Sequence, residues 1–442
     1  HVRPLLARAR EEGADMIGLS GLITPSLGEM VHVASEMKRQ GFEVPLLIGG
    51  ATTSLRHTAV KVAPAYPGPV LWCKDASKAA ETVSELTDDK RRAALITRTR
   101  AEQTAMAADY EARRHKQPLA PIAEARARRV PVTWRQEELA RPPRLGVEVL
   151  DVDLASLVPY IDWTPFFHTW EMKGTYPSIL DSADRGPQAR KLKHDADEML
   201  ARLVRERWVQ AKAVAGLWRA VSDGDDIVVL TDDGQGEVTR FPMLRQQQRK
   251  NASGDDSTRP YVSLSDYVAP RDAGLVDHLG AFAVTTGLGV EQIVARFKSD
   301  HDEYNAILAQ ALTDRLAEAC AEWLHERVRA RWGYDEVGGT TPEQLIREQY
   351  RGIRPAPGYP ACPDHSVKRA MFEVLQATEI GMDLTDSLAM TPAASVSGFY
   401  LAHPEATYFN VGRIGEDQLK DWAARQAIEA DIARRLLAPA LG

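Results

Sequence analysis

The sequence predicts an α/β protein with at least two domains, and three observations carry this prediction. Its 442 residues exceed what a single hydrophobic core usually holds. Residues 1–90 alternate short apolar runs with helical patterns, which is typical of βαβ units around a parallel sheet. Further along, apolar strand-like runs precede a helical pattern that extends from Val290 to Trp332. We therefore expect a parallel-sheet domain followed by a domain that combines strands with long helices.

The first domain contains three predicted strands, each followed by a helix. The strands are Asp15–Ser20, Val44–Ile48 and Val70–Cys73. Apolar residues recur at helical spacing from Leu27 to Met37, and Gly41 ends that helix. The last of the three helices is predicted over Ala76–Leu86. The candidate N-caps of the helix between them are Thr52, Thr53 and Ser54.

Small or hydroxyl-bearing residues stand at the carboxyl ends of all three predicted strands. These residues are Ser20 and Thr24, Gly49 and Gly50, and Ala76 between Asp75 and Ser77. In open parallel sheets ligands bind beyond the carboxyl ends of the strands, and glycines there let a ligand approach the backbone closely. Two interpretations fit this pattern: a pocket for a slender heterocycle, or a tight turn with core hydroxyl groups that are bonded inside the protein.

A basic tract separates the two predicted domains. It contains Lys90–Arg92, Arg98–Arg100, Arg113–Lys116 and Arg126–Arg129, together with Pro118 and Pro121. Runs of like charge with proline are typical of a solvated helix and a linker. A docking surface for an acidic redox partner is the alternative. We predict a first domain over residues 1–97, a charged interdomain linker over 98–133 and a second domain over 134–442.

The second domain has an acidic residue among aromatic ones near its start. Tyr160–Phe167 surrounds Asp162 with large rings, so this carboxylate either caps a turn or accepts hydrogen bonds from a ligand, and we favour the ligand. The apolar runs Ile227–Leu230 and Ala281–Val284 predict strands. We therefore expect the aromatic segment to contact a ligand and the two apolar runs to form strands of a sheet.

The helical pattern from Val290 to Trp332 predicts one long helix with a single buried face. The predicted buried residues are Ile293, Phe297, Tyr304, Ile307, Leu308, Ala311, Leu312, Leu316, Ala319 and Trp323. Glu318 lies one helical turn before Glu322, and most acids in such positions face water. Glu348 is predicted to lie on the helix that leads into the next loop.

That loop, Arg351–His365, combines features that neither a helix nor a strand ladder accommodates. Its prolines are Pro355, Pro357, Pro360 and Pro363. Each proline removes a backbone donor and fixes φ, while Gly358 supplies freedom among them, so we expect an ordered and mostly extended loop. It holds Arg354, Tyr359 and His365 on a stiff frame, which suits a ligand with a carboxylate or a purine. The alternative is a rigid connection between domains.

Composition and charge exclude several functional classes. The net charge of −7 and the pI near 5.9 leave no basic footprint for nucleic acid. No run of about 18 apolar residues predicts a membrane span. Cys73, Cys320 and Cys362 are scattered and odd in number, which favours a reducing cytoplasm over a disulfide framework. Cys362 and His365 have metal-like spacing, but no second pair completes a four-ligand zinc site. No signal peptide is predicted at the N-terminus.

The segment Ile353–His365 closely resembles the signature loop of the activation domain of cobalamin-dependent methionine synthases. Further matches to that domain occur in the same order, at Tyr160–Phe167, Ser395–Tyr400 and His403–Phe409. The segments Leu19–Leu27 and Leu47–Ser54 resemble the second half of the cobalamin module of the same family. The resemblance implies an incomplete Rossmann-like cobalamin domain followed by an α+β activation domain with a mainly antiparallel sheet. The Asp-x-His-x-x-Gly motif, whose imidazole binds cobalt in the family, has no counterpart here, so the chain is expected to start inside the cobalamin domain.

The resemblance also implies two ligand sites. The S-adenosylmethionine site would use Asp162 for the ammonium, Arg354 for the carboxylate, Ala356 and Tyr359 around the adenosine, Tyr408 and Phe409 as rings, and Glu318 and Glu348 as nearby acids. The cobalamin tail would be enclosed by Ser20, Thr24, Gly49, Gly50 and Ala76. A zwitterionic amino acid needs one fixed cation and one fixed anion, and a sulfonium favours carbonyl groups and rings, so the residue types agree with this ligand.

The function implied by the resemblance is methyl transfer from 5-methyltetrahydrofolate to homocysteine in the cytoplasm. This chain would bind cobalamin, as methylcobalamin in the active enzyme, and S-adenosylmethionine for reductive methylation of oxidised cobalamin. A flavodoxin-type partner would supply the electron. Homocysteine with its zinc, and the folate, would bind to other domains of the full-length methyltransferase, and no residue here needs to be a general base. A non-catalytic cobalamin or S-adenosylmethionine sensor is the alternative.

Overall fold

A computed structural model describes residues 2–21, 25–50, 52–115, 118–249, 259–335 and 339–441. The chain divides into two compact units. Unit 1 combines His1–Glu124, Gln247–Arg259 and Gly412–Gly442, and unit 2 combines Ala125–Gln246 and Pro260–Val411. The three-part division at residues 97 and 133 stays a prediction.

Helices and strands alternate at the start of the chain, and a strand-rich stretch follows. The helices are α1 (Val2–Glu11), α2 (Pro25–Arg39), α3 (Leu55–His57), α4 (Ala76–Thr87), α5 (Asp89–His115), α6 (Ile122–Ala127), α7 (Trp163–Thr169), α8 (Gly186–Arg205), α9 (Val290–Ser299), α10 (Glu303–Trp332), α11 (Pro342–Ile346), α12 (Val367–Leu375), α13 (Glu416–Arg425), α14 (Ala430–Leu436) and α15 (Ala438–Leu441). The strands are β1 (Ile17–Ser20), β2 (Leu46–Gly49), β3 (Val70–Trp72), β4 (Gly146–Val152), β5 (Gln210–Asp223), β6 (Asp226–Leu230), β7 (Glu237–Pro242), β8 (Asp277–Leu288), β9 (Asp383–Leu384), β10 (Met390–Thr391) and β11 (Ser395–Tyr400). No helix in the described ranges has both the length and the apolar character that crossing a bilayer requires.

Unit 1 is built on a small parallel sheet. β1, β2 and β3 lie side by side in that order, and Ser20 at the end of β1 pairs with Gly49 at the end of β2. Leu46 and Ile48 pack into a core with α1 and α2, whereas Leu47 packs on the opposite face with residues of α4 and α5. Helices thus cover both faces, which is why the second strand is apolar throughout. The predicted parallel sheet is confirmed.

The basic tract is helical as far as residue 115. Helix α5 exposes the basic side chains at positions 90–92, 98 and 100 and packs on unit 1 through the opposite face. Gln103 on that face is buried and donates to the Val70 carbonyl at 2.8 Å. Earlier in the chain, the Ser54 hydroxyl accepts from the His57 N–H at 3.1 Å and caps α3, so Ser54 is the N-cap among the three predicted candidates. This part of the tract is therefore a solvated helix.

Unit 2 is built on a larger antiparallel sheet. Its paired strands run in the order β11, β8, β5, β6, β7, and β4 also pairs with β5. The long strand β5 pairs with β8 along most of its length, and both strands are buried almost throughout. The predicted runs Ile227–Leu230 and Ala281–Val284 lie within β6 and β8. The expected mainly antiparallel sheet is therefore present.

Helices cover both faces of this sheet. On one face Leu217, Phe282 and Val284 pack against α8, α9 and α10. On the other face Leu279 and Ala281 pack against α12 and the loop that precedes it. Because α10 packs between the sheet and other helices, most of its length is buried.

The prediction of one long helix from Val290 to Trp332 is wrong. The pattern forms α9 and α10, and the break occurs at His301, which has a φ of +57°, and at Asp302, which caps α10 by accepting from the Asn305 N–H at 3.0 Å. Tyr304 and Ile307 are 40% and 47% exposed, so they do not belong to the buried face. The Tyr304 hydroxyl instead donates to Asp195 at 2.7 Å, because a phenol at a surface position can keep its polar end bonded.

Candidate functional site

The proline-rich loop is held in place along the end of strand β11. Ile353 and Leu401 exchange two backbone hydrogen bonds of 3.0 Å, and the Phe399 N–H donates to the Pro355 carbonyl at 2.9 Å. Proline removes donors but keeps its carbonyl, so a loop of this composition can still accept hydrogen bonds from a neighbouring strand. The loop is therefore an ordered part of unit 2.

A tight turn follows at the tip of the loop. The Gly358 N–H donates to the Cys362 carbonyl at 2.7 Å, and the Cys362 N–H donates to the Tyr359 carbonyl at 2.9 Å. Gly358 has a φ of +96°, and a Cβ there would overlap Cε1 of His365. The imidazole thus underlies the turn, and neither of its ring nitrogens has a hydrogen-bond partner among the residues that the structure describes. Burial lowers the pKa of His365 to about 4, so the ring is neutral and supports the backbone.

Arg354 projects from the loop onto α10, where Glu322 is its ion-pair partner. The two side chains are only 13% and 15% exposed, and Nη2 of Arg354 donates to Oε1 of Glu322. Burial opposes the charge on Arg354, but the Glu322 carboxylate outweighs it and raises the pKa of the guanidinium. Arg354 also lies over the ring of Phe282, at 5.7 Å from the ring centroid. The structure therefore places one permanent cation beneath the loop.

Further acids surround this ion pair. The Glu318 carboxylate is the main cause of the raised pKa of Tyr359, so the tip of the loop faces the same stretch of α10. Burial raises the pKa of Glu322, Arg354 opposes this effect, and both Glu318 and Glu348 add to it. The expected position of Glu348 on a helix is wrong, because α11 ends at Ile346 and Glu348 is an exposed turn residue with a φ of +54°.

The aromatic residues of the C-terminal motif have different surroundings. The Tyr408 hydroxyl accepts from the Arg354 N–H at 3.0 Å and lies 2.9 Å from the Tyr350 hydroxyl. Phe409 instead packs against the core on the α12 side of the sheet. Ala356 lies in the loop, where its carbonyl accepts from the Tyr359 N–H at 3.2 Å. Tyr408 therefore belongs to the surroundings of Arg354, whereas Phe409 anchors the segment.

Asp162 is the N-cap of α7. Its Oδ1 accepts from the Thr164 N–H at 2.9 Å, and its half-buried carboxylate keeps Oδ2 without a hydrogen bond among the described residues. Two residues earlier, the Tyr160 hydroxyl donates to Glu326 on α10. The sequence allowed Asp162 either to cap a turn or to contact a ligand. The structure shows the cap, and contact of the second carboxylate oxygen with a ligand stays a prediction.

The predicted residues of unit 1 lie at the carboxyl edge of the parallel sheet, apart from Thr24, which is outside the described residues. Gly50 has a φ of +101°, and a Cβ there would overlap the backbone nitrogen of Gly21. Ser20 is exposed at the end of β1, and Ala76 is the first residue of α4. The glycine at position 50 therefore lets two backbone segments approach closely, and the strand ends remain the place where open parallel sheets bind ligands.

Sequence reasoning missed several groups behind Arg354. The buried atoms without a hydrogen-bond partner there are Oε2 of Glu322, Nε of Arg354, Nδ1 of His325 and the hydroxyl oxygen of Tyr400. His325 stacks on Tyr400 at 5.2 Å and meets Tyr350 edge to face at 4.7 Å. The available signal was the helical spacing of 318, 322 and 325, which places their side chains near one face of α10.

The described residues contain no cluster of histidine, cysteine, aspartate and glutamate side chains suited to a metal ion. The Cys362 thiol is buried and free, and burial raises its pKa. His365 lies under the turn at Gly358, so the metal-like spacing of the sequence reflects a structural support.

Comparison with known proteins agrees with this geometry. The chain is similar to the crystal structure of the MetH reactivation domain bound to AdoHcy (S-adenosylhomocysteine), with a TM-score of 0.70 and 42% sequence identity. The match covers 74% of this chain and 99% of that one. The antiparallel sheet, the buried helix and the proline-rich loop thus define a reactivation domain.

The family model for the activation domain of vitamin B12-dependent methionine synthase matches residues 153–427. The chain therefore belongs to the vitamin B12-dependent methionine synthase family, and its second part is the activation domain. The resemblance and the fold class predicted from the sequence are confirmed. Membership in this methyltransferase family favours the synthase interpretation over a stand-alone sensor.

Proposed function

We propose that unit 2 binds S-adenosylmethionine and presents its methyl group for the reductive methylation of oxidised cobalamin. The full-length enzyme would transfer methyl from 5-methyltetrahydrofolate to homocysteine, with homocysteine, its zinc and the folate on other domains. The observation that carries the proposal is the buried Arg354 guanidinium on an ordered loop, in a fold 42% identical to a domain bound to AdoHcy. A guanidinium in a fixed position suits the carboxylate of an amino acid.

The other predicted residues have chemistry that suits the rest of this ligand. Asp162 has a free carboxylate oxygen for the ammonium group. Ala356 and Tyr359 supply carbonyl groups and a ring for the adenosine, and Tyr408 adds a second ring beside Arg354. The third predicted ring, Phe409, packs against the core and holds the segment that carries Tyr408.

The acidic residues near Arg354 favour S-adenosylmethionine, which carries a net positive charge. S-adenosylmethionine carries a carboxylate, an ammonium and a sulfonium, so its net charge is positive while the ammonium is protonated. Glu318 and Glu348 act on the ion pair of Glu322 and Arg354, and their negative field favours a ligand with a net positive charge. The protein's contribution is positioning and electrostatics, and S-adenosylhomocysteine would be the product that leaves.

Cobalamin is the second proposed ligand, at the strand ends of unit 1. Ser20, Gly49, Gly50 and Ala76, with Thr24, would enclose its nucleotide tail, and their position at the carboxyl ends of parallel strands supports this role. When bound, cobalamin would supply the metal centre that accepts a methyl group. A reduced flavodoxin-type protein would supply the electron, and the basic residues of α5 are one candidate docking surface.

Isothermal titration of the 442-residue chain with S-adenosylmethionine tests the first proposal. We expect binding by the wild type and a loss of about 10- to 100-fold in affinity for Arg354→Ala, because a charge-assisted hydrogen bond contributes about 1.5–3 kcal/mol. Arg347→Ala is the control, since Arg347 is exposed in the preceding turn. Equal affinities for Arg354→Ala and the wild type would remove the carboxylate role of Arg354.

A further inference from the structure

We propose that Glu322 is a positioning residue that stands in for the ligand's carboxylate: it holds the Arg354 guanidinium in the ligand-free chain and takes up one proton when that carboxylate binds. The proposal rests on the proposed binding of S-adenosylmethionine at the same site. In this step the ligand carboxylate forms hydrogen bonds to Arg354, and the Glu322 carboxylate gains a proton from the buffer and becomes a neutral carboxylic acid.

The ion pair between Glu322 and Arg354 is incompletely bonded. One hydrogen bond joins them, from Nη2 to Oε1, while Nε of Arg354 and Oε2 of Glu322 are buried and have no hydrogen-bond partner within the described part of the chain. A guanidinium can make two parallel hydrogen bonds to a carboxylate, and a single one leaves part of the desolvation cost of both groups unbalanced. A free carboxylate that approaches in the plane of the guanidinium can therefore replace Glu322 as its main partner.

The charges around the pair explain why replacement requires a proton. Glu318 and Glu348 already act on Glu322, so an incoming carboxylate would be the fourth negative group around one cation. Carboxylates that share a site in a low-dielectric environment cannot all stay ionised. Glu322 is the acid bonded to Arg354 and its side chain is only 15% exposed, so its protonation relieves the most repulsion.

Other titratable groups face Glu322 or its partner. They are Glu318 and His325 on α10, Glu348 and Tyr350 after α11, Arg354 in the loop, Tyr400 on β11, and Tyr408. Burial raises the pKa of each of these tyrosines, so they stay neutral, and burial also lowers the pKa of His325. Glu348 is exposed, whereas Glu318 is half-buried like Glu322.

Proton uptake on binding fixes the direction in which affinity changes with pH. The pKa of Glu322 is raised in the free chain, mainly by burial, and Arg354 opposes this effect. Loss of Arg354 to the ligand would therefore raise the pKa further. A group whose pKa is higher in the complex favours the complex at low pH, so affinity falls as pH rises between the two pKa values. Full coupling of one proton corresponds to about tenfold in affinity per pH unit.

The test is calorimetric titration of the 442-residue chain with S-adenosylhomocysteine between pH 5.5 and 7.0, in two buffers with different ionisation enthalpies. This pH range keeps the ligand's ammonium protonated. We expect the wild type to take up a fraction of a proton that approaches one. Glu322→Gln, which mimics the protonated acid, should take up none and bind at least about threefold more tightly at pH 7. Glu303→Gln, which removes an exposed charge from the start of α10, should behave as the wild type.

A second ligand separates the carboxylate effect from the nucleoside. 5′-Methylthioadenosine has the adenosine and the thioether but no carboxylate, so it should bind without proton uptake. This arm and the two-buffer measurement use the wild type alone, and they decide the proposal even if Glu322→Gln does not fold.

The outcomes distinguish the two proposals. Binding of S-adenosylhomocysteine without proton uptake, or uptake that persists in Glu322→Gln, overturns the role of Glu322 and leaves the binding site standing. Absence of binding by the wild type overturns the proposed function and the role of Glu322 with it. Uptake in the wild type that is lost in Glu322→Gln and absent with 5′-methylthioadenosine supports the role.

Discussion

Replacing Gly358 by alanine tests whether the loop owes its shape to one glycine and the ring beneath it. The φ of +96° costs an alanine about 1–2 kcal/mol. The new Cβ would also overlap Cε1 of His365 and lie 2.5 Å from its Nε2, and overpacking of this kind costs about 1–3 kcal/mol. We therefore expect Gly358→Ala to lower the free energy of unfolding by about 2–5 kcal/mol.

Urea unfolding of a double-mutant cycle measures the two contributions separately. His365→Ala removes the overlap but leaves the strain of φ, so the double variant should be more stable than the sum of the single changes predicts, by about 1–3 kcal/mol. Gly333→Ala is the matched control, because Gly333 has a φ of +85° and open space around its Cβ position. Gly333→Ala should lower the free energy of unfolding only by the cost of the positive φ, about 1–2 kcal/mol.

The same variants connect the loop to ligand binding. The tip of the loop carries Ala356 and Tyr359, so a displaced turn should weaken binding of S-adenosylmethionine at least about tenfold in Gly358→Ala. Recovery of part of that affinity in the double variant is expected. Additive unfolding energies, within about 0.5 kcal/mol, would refute the contact between position 358 and the imidazole.

Two further predictions concern a hydroxyl beside Arg354 and a buried ion pair elsewhere in unit 2. Tyr408→Phe removes the hydroxyl that accepts from the Arg354 N–H, and titration should show about three- to tenfold weaker binding of S-adenosylmethionine; unchanged affinity would mean that this hydroxyl does not position the loop. Arg245, only 1% exposed, is bonded at 2.7 Å to Asp225 and Asp266. Arg245→Met should lower the free energy of unfolding in urea by about 3–5 kcal/mol, because it removes the ion-pair partner of buried Asp266 and leaves Asp225 with Arg126 alone among the described residues, and a loss below 1 kcal/mol would contradict that account.

Much of the architecture follows from local patterns. The parallel strands of unit 1 were predictable because apolar runs, glycine and helix caps recur over a few residues, and each signal acts within its own element. The loop was predictable for a similar reason, since four prolines between Arg354 and His365 exclude a helix or an inner strand whatever surrounds them. The family resemblance of the same loop carried the functional prediction.

Errors arose where periodicity had to be continued across a break. The pattern from Val290 to Trp332 kept helical spacing through Asp302, although that residue caps a new helix and changes the direction of the faces. Tyr304 and Ile307 were therefore assigned to the wrong side. Glu348 was placed on a helix because the sequence around it has no strong stop signal, whereas the structure ends α11 two residues earlier.

The sequence by itself determined which residues are available to a ligand: an arginine on a proline-stiffened loop, acids at helical spacing and an aspartate among rings. Only the tertiary structure decided their partners, because Arg354 and Glu322 are 32 residues apart and meet through packing of the loop against α10. The same packing gives Tyr359 its neighbour Glu318. Ion pairs between distant segments depend on how cores are packed, and local sequence patterns do not encode that arrangement.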